Sequence, residues 1–510
     1  MYLNCHSFYS LRYGTLSVEA LVQQAVLNGV ESLALTDINS TTGVTDFAKH
    51  CVEAGIKPLA GVEIRKNDKL LYVAVAKNLE GFKEINELLT KTNLSEMPLP
   101  FQSPYFHNVF VIYPTHNVPE ILQNHEFIGI KPSELKRYQP SFAKRTNKLV
   151  CLYPVTFSSK QEFNLHKLLR CIDYNILLSH LTQQQQAGTG EYMIPIRELK
   201  ALYQHYPEII RNTELLFDQC SFPFDFKSPK NKKCYTSSYY EDKILLETLA
   251  LEGFKDRYAA TNQQAKQRLY DELEIIHKMQ FGCYFLTTWD IIRHSLSKGY
   301  FHVGRGSGAN SIVAYCLKIT EVDPIELNLY FARFLNNKRS SPPDFDIDWS
   351  WTDRDDIIDY IFKRFGREHT GFCGTVTDFK HRSTVRELGK VFGLPKEELD
   401  QLSRMSFDHE PQDKLVKSIQ HYGKMLAGYP NQLSMHSCGI YITEEPIANY
   451  TAMNIYPKGV PTCEIDMYMA ENFHLEKIDI LSQRGLGHIK EAVSIAEKNK
   501  GVKINISDTK

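Results

Sequence analysis

Residues 343–348 read PDFDID, and this alternation limits what the surrounding chain can fold into more than any other stretch. In a β-strand, positions i, i+2 and i+4 share a face, so Asp344, Asp346 and Asp348 stand side by side while Phe345 and Ile347 face a core. Like charges that close repel one another. Bound divalent cations relieve the repulsion, and oxygen-only ligands favour Mg²⁺ or Mn²⁺ over zinc. That is the chemistry of phosphoryl or nucleotidyl transfer. A solvated edge-strand face is the plainer alternative. A calcium-loop reading fails because the interleaved residues are apolar and the required glycine is absent.

About forty residues upstream, GRGSGANS (304–311) runs into the apolar segment SIVAYCLKI. It lacks the lysine of a P-loop. Gly304, Gly306 and Gly308 let backbone approach a polyanion, Ser311 opens the next helix, and Arg305 and Ser307 add a charge and a hydroxyl. Alone, this is better read as a glycine-rich connector; the neighbouring carboxylates reverse that preference in favour of the phosphate reading. Arg333, Lys338 and Arg339 lie just before the aspartates and can neutralise a triphosphate. Near the carboxyl end, HLEKIDIL places Lys477 and Asp479 on one face of a short strand, which by itself is an ordinary salt-bridged pattern.

At 510 residues the chain is too long for one core, so two or three domains are expected. Its 59 Lys and Arg almost cancel 60 Asp and Glu, so nucleic-acid contacts must come from local basic clusters. The 11 cysteines have no C-x-x-C spacing, which argues for reduced thiols and against a zinc ribbon. MYLNCHSFYS has neither the basic start nor the apolar core of a signal peptide, and no apolar run approaches ~18 residues. A soluble, cytoplasmic protein without a membrane partner is expected.

The first part of the chain alternates helix-like and strand-like segments (ESLALTD, KPLAGVEI, KLLYVAVA, NVFVIYP, KLVCLYP), which points to a parallel sheet, open or closed into a barrel. His6, Asp37 and Glu63 fall near the ends of such strands and together can hold a metal. FPFDFKSPKNKKC reads as an interdomain linker, after which long helical patterns dominate.

The segments LNCHSFYSLRYGT, LALTDINSTTGV and GIKPLAGVEI resemble the PHP (polymerase and histidinol phosphatase) domain. The family begins H-x-H and carries T-D-H. Here Asn4 replaces the first histidine and Ile38 the last, and a later D-x-H aligns with Pro154 and Thr156. The resemblance therefore implies a degenerate site at His6, Asp37 and Glu63, without phosphoesterase chemistry.

The stretch from VGRGSGANS through ITEVDP, FARFLNN and PDFDID, then MHSCGIYI and LEKIDILSQRGLG, is similar to the bacterial DNA polymerase III alpha subunits, the C-family polymerases. The resemblance implies Asp344, Asp346 and Asp479 as catalytic metal ligands, with Asp348 a neighbour. Gly306 and Ser307 match the turn touching the triphosphate, and Arg333, Arg339 and Lys477 its basic contacts; Arg305 is a weaker candidate. It further implies two Mg²⁺ ions, with Mn²⁺ possible, attack by a primer 3′-hydroxyl on a dNTP, primer–template DNA as partner, and replisome subunits including a separate proofreading exonuclease and a sliding clamp.

The expected fold is multidomain α/β and α+β: a PHP-like barrel (1–225), palm (226–375 and 432–482) with an inserted helical thumb (376–431), and the start of truncated fingers (483–510). His381, Arg382 and Arg386 are candidates for contacts with duplex phosphates, or merely a charged helix face. Two rivals to a DNA-directed DNA polymerase remain at this point. One is a PHP-type phosphoesterase or 3′ exonuclease dependent on His6, Asp37 and Glu63. The other is a non-catalytic DNA- or partner-binding fragment, favoured by the early carboxyl end.

Overall fold

A computed structural model describes the chain except residues 96, 138–144, 337–344, 405–412, 502, 503 and 505–510. The chain forms two compact units: Met1–Phe226 with Gly374–Ser434 and Ala448–Met469, and Lys227–Cys373 with Met435–Ile447 and Ala470–Lys510. Passage from the first to the second occurs inside the proline- and lysine-rich stretch after Cys220.

The first unit is built on β1 (Asn4–Cys5), β2 (Ser32–Leu35), β3 (Lys57–Lys66), β4 (Lys69–Ala76), β5 (Val109–Pro114), β6 (Glu126–Ile130), β7 (Leu149–Cys151) and β8 (Pro154–Val155). β2 to β7 form one sheet in chain order, and β1 pairs with β8 in parallel. The sheet is mixed, which corrects the parallel sheet expected from the alternation. β3–β4 and β4–β5 are antiparallel, the other neighbours parallel. The cause is local: Asn67 and Asp68 both take positive φ, 50° and 59°, so the chain reverses in a tight hairpin instead of crossing over.

Helices Val18–Leu27, Val44–Glu53 and Leu79–Ser95 bury Leu21, Phe47 and Phe82 against Val62 and Ile64 of β3. Ser17 stops the first of them from fraying by accepting the Ala20 amide at 3.0 Å. A second core in this unit joins helix Lys160–Tyr174 to helices His381–Val391 and Lys414–Leu426 through Leu165, Leu169, Leu388, Ile419 and Leu426.

The later strands are β9 (His302–Arg305), β10 (Asp346–Ser350), β11 (Thr370–Asp378), β12 (Pro430–Ile442), β13 (Met453–Ile455), β14 (Pro461–Cys463) and β15 (Lys477–Gln483). Within the second unit the strand neighbours run β12, β15, β10, β9, with β10 parallel to β15 and antiparallel to β9. Helix Gly282–Ser297 lies behind β10. Phe345 stacks on Tyr284 (5.2 Å between ring centres, 12° between planes) and packs against Phe285 and Phe334. The Phe345 amide donates to the Tyr284 hydroxyl at 2.8 Å, and the Trp349 indole N–H to Ser295 Oγ at 2.8 Å. These contacts fix the rotation of β10 about its axis, because Ile347 and Trp349 are wholly buried. Among the described residues no helix is long and apolar enough to cross a membrane, and no disulfide joins two cysteines.

Candidate active site

Alternation puts Asp346 and Asp348 on the face of β10 opposite its buried residues. Parallel pairing sets Asp346 directly beside Asp479 of β15, with strands about 4.8 Å apart. Antiparallel pairing on the other edge sets Asp346 beside Arg305 of β9. Arg305 Nε donates to Asp348 Oδ2 at 2.8 Å and its Nη1 lies 3.4 Å from Asp346 Oδ2, while Lys477 Nζ donates to Asp479 Oδ2 at 2.6 Å. Each carboxylate thus has a cation against it. Burial raises the pKa of Asp346; Arg305 opposes the rise, and the charges of Asp479 and Asp348 add to it. Adjacent carboxylates that repel one another, with a half-exposed arginine beside them, fit a hard divalent ion.

The glycine turn packs directly on this strand. Gly306 has φ +71°, and a Cβ there would lie 2.8 Å from Asp346 Oδ2. At Gly308 a Cβ would meet the Phe345 ring at 2.6 Å. Both glycines are therefore required by the approach of the turn to the aspartate strand, whatever else it binds. Ser307 is half-buried, and Ser311 is buried, capping helix Ile312–Cys316 and donating to Glu272 Oε2 at 2.8 Å. Arg333 is exposed at the end of a short 3₁₀ turn. Asp344, Lys338 and Arg339 lie outside the described residues. Arg386 is paired with Asp400 at 2.8 Å.

Two residues of this site escaped the sequence reading. His436 and Cys438 of β12 lie against Asp479: Cys438 Sγ donates to Asp479 Oδ1 at 3.4 Å and is 3.7 Å from His436 Nδ1. The signal was present in MHSCG, where a histidine and a cysteine stand two apart on a strand. Arg354 joins this segment to β15 by donating through Nε to the Ile480 carbonyl (2.8 Å) and through Nη2 to that of Ser437.

In the first unit, His6, Asp37 and Glu63 are all buried, and the fold gathers them with Asn4, Arg65 and Thr156. Glu63 Oε2 accepts from Asn4 Nδ2 (2.7 Å) and His6 Nε2 (2.9 Å), and its Oε1 accepts from Arg65 Nε. Asp37 accepts the Ser7 amide (2.6 Å), the Ser7 hydroxyl (2.7 Å) and the Ser10 hydroxyl (2.6 Å). His6 Nδ1 is 3.0 Å from Thr156 Oγ1, and the Arg65 guanidinium lies over the Tyr13 ring at 4.3 Å. Burial acts to raise the Glu63 pKa, but Arg65 and then His6 carry it well below the ordinary carboxylate range. Every carboxylate oxygen a metal would use already accepts a hydrogen bond from the protein, so these residues do not fit the metal cluster of a PHP domain.

The Bacterial DNA polymerase III alpha NTPase domain family matches residues 244–482, and the PHP domain family matches residues 3–126. An error-prone DNA polymerase of Symbiobacterium thermophilum is 26% identical, aligned over 97% of this chain and 52% of its own length. DNA polymerase III subunit alpha of Bacillus subtilis is 27% identical over 99% of this chain and 50% of its own, and that of Staphylococcus aureus 28% over 99% and 49%. The chain thus spans about half the length of the curated relatives it matches. It is a mixed α/β protein that carries a PHP domain and a match to the Bacterial DNA polymerase III alpha NTPase domain, and it is similar along nearly its whole length to bacterial DNA polymerase III alpha subunits.

Proposed function

We propose that this chain carries the catalytic centre of a DNA-directed DNA polymerase, transferring a nucleotide from a dNTP to a primer 3′-hydroxyl on a DNA template. The observation that supports this best is the in-register pairing of Asp346 with Asp479, flanked by Arg305 and Lys477. In this reading β9, β10, β12 and β15 belong to a palm (226–375 and 432–482), helices within 376–431 form a thumb, residues 1–225 a PHP-like barrel, and 483–510 begin the fingers. Asp346, Asp479 and Asp344 would hold two divalent ions, Mg²⁺ or in its place Mn²⁺. When bound, such ions lower the pKa of the attacking hydroxyl and stabilise charge on the triphosphate and leaving pyrophosphate.

The chain's own residues do the rest. Arg305 and Lys477 offset the repulsion among the carboxylates in the resting site, and Arg305, 46% exposed, is placed to turn to phosphate oxygens when metal ions engage the carboxylates. Gly306 keeps the turn open at Asp346, and Ser307 and Arg333, with Arg339, are positioning candidates for the triphosphate. Replisome subunits, among them a proofreading exonuclease and a sliding clamp, are expected partners of the longer protein. The saturated carboxylates around His6 argue against phosphoesterase or exonuclease chemistry in the first unit.

The test is primer extension on a primed single strand with Mg²⁺ and four dNTPs, using this chain joined to the carboxyl-terminal half of a full-length relative. Activity is expected, with loss of at least roughly 10³-fold in Asp346→Asn or Asp479→Asn and DNA binding retained. Activity that survives both substitutions refutes the assignment. DNA binding without any extension by the unsubstituted protein leaves a non-catalytic binding role.

A further inference from the structure

We propose that His436, Cys438 and Asp479 form a site for a thiophilic divalent cation, Zn²⁺ foremost, built onto the outer oxygen of the aspartate that the polymerase reading assigns to Mg²⁺. One ligating atom from each residue lies within 4.8 Å of the others. Tetrahedral zinc with bonds of about 2.0–2.3 Å has ligand–ligand edges of about 3.3–3.8 Å. Two edges already have that length: 3.7 Å from His436 Nδ1 to Cys438 Sγ and 3.4 Å from Cys438 Sγ to Asp479 Oδ1. The cluster is therefore close to a coordination shell before any ion enters.

Three features of the fold hold it so. Gly439 pairs with Asp479 across β12 and β15, which fixes Cys438 beside the carboxylate. Arg354 bridges the Ser437 and Ile480 carbonyls, locking the two segments together. Lys477 takes Asp479 Oδ2, leaving Oδ1 turned to the thiol. Cys438 and Asp479 are buried at 5% and 9% exposure, and His436 is more open, giving a side of entry. The Nδ1 lone pair accepts the Gly439 amide at 3.0 Å and that of Cys438 at 3.4 Å; a metal replaces those contacts. On binding, the Sγ–H bond is exchanged for an Sγ–metal bond, the proton passes to solvent, no electron is transferred, and water completes the shell.

A nitrogen–sulfur–oxygen set selects Zn²⁺, Co²⁺ or Cd²⁺ over Mg²⁺. Its occupation draws Asp479 away from Asp346, so Zn²⁺ inhibits nucleotidyl transfer at constant Mg²⁺; this last clause rests on the polymerase reading, whereas the site itself does not.

The test uses Co²⁺ as a spectroscopic probe on the chain as it stands. One Co²⁺ per chain is expected to give a sulfur-to-cobalt charge-transfer absorption, displaced by equimolar Zn²⁺ and unaffected by excess Mg²⁺. The band is expected to vanish in Cys438→Ala, and Co²⁺ affinity to fall at least about tenfold in His436→Ala, with circular dichroism unchanged. No band in the unsubstituted chain, or a band that persists in Cys438→Ala, overturns the site. Should Cys438→Ala misfold, Zn²⁺ protection of Cys438 from alkylation, read by peptide mass spectrometry, decides the matter without a variant; equal alkylation with and without Zn²⁺ refutes it. In the carboxyl-terminally extended protein, Zn²⁺ that gives the band's competition but leaves primer extension untouched overturns the inhibition alone, and a protein without extension activity refutes the polymerase reading alone.

Discussion

Replacing Arg65 by methionine isolates what holds the buried cluster around Glu63 together. Glu63 is 1% exposed and Arg65 12%, so the substitution leaves a carboxylate in the interior with its principal countercharge gone. Removing one partner of a buried pair costs about 3–5 kcal/mol. Asn4 and His6 still donate to Glu63 Oε2, which places the expected loss near the lower end, about 3 kcal/mol. In a large unit that corresponds to a fall in Tm of roughly 6–12 °C. The pH dependence has a definite sign. A carboxyl whose folded pKa is depressed contributes stability above its ordinary value of 4.5 and loses it as pH falls through the folded value. The unsubstituted chain should therefore keep this contribution into strong acid, and Arg65→Met should begin to lose stability at a higher pH. Adding Glu63→Gln removes the orphaned charge and should return the double variant to within about 1 kcal/mol of the parent. Calorimetry and urea unfolding of the four proteins complete the cycle. A single variant within about 0.5 kcal/mol of the parent, or a double variant worse than the single, refutes the view that Arg65 is the countercharge that makes a buried Glu63 carboxylate tolerable.

Two further outcomes are expected. Gly306→Ala forces a left-handed residue to carry a Cβ 2.8 Å from Asp346 Oδ2, so it should cost about 1–2 kcal/mol and, under the proposed function, lower kcat for primer extension roughly tenfold in the carboxyl-terminally extended protein, with KM for primer little changed; unaltered kcat refutes the close approach. Glu272, pushed up to about 7 by burial against the opposing pulls of Arg268 and Ser311, holds a proton in the fold that it loses when unfolded above pH 4.5. Stability from this group is complete below 4.5 and declines as pH rises to about 7, and Glu272→Gln should flatten that decline in urea midpoints measured from about pH 5 to about pH 8.

Much of the fold follows from local patterns visible in the chain. Period-two alternation at Asp346, Ile347 and Asp348 is legible because one face of β10 must be buried, and Ile347 is wholly inside. Helix Val18–Leu27 is announced by its Ser17 cap and its apolar spacing. The antiparallel β3–β4 turn was also written locally, as Asn67-Asp68, but the β/α alternation around it masked the hairpin. What local pattern could not give were pairings between distant segments; only the family resemblance sets Asp479 with Asp346. Nothing near Asp346 reveals that Asp479 will lie beside it, or that Arg305 will hold it from the other edge, because strand register over such separations is set by global packing. The saturation of Asp37 lies between these cases: Ser7 and Ser10 are three apart in one loop, yet only the folded loop shows both hydroxyls turned to the same carboxylate.

The partial exposure of Arg305, 46% at its side chain, has a consequence for how the carboxylates rest. A guanidinium rooted in the interior, like that of Arg65, is a permanent tenant. One that is half in water leaves more readily than a buried one, although Asp348, 6% exposed, then keeps, among the described residues, only the Gln483 amide at 3.4 Å until another cation arrives. In the proposed catalytic centre Arg305 is therefore the latch: it offsets the repulsion along the acidic row and is the cation that an incoming divalent ion would displace. The two carboxylate clusters of this chain thus differ less in which acids they contain than in how far the attending arginine reaches into water, 46% at Arg305 against 12% at Arg65.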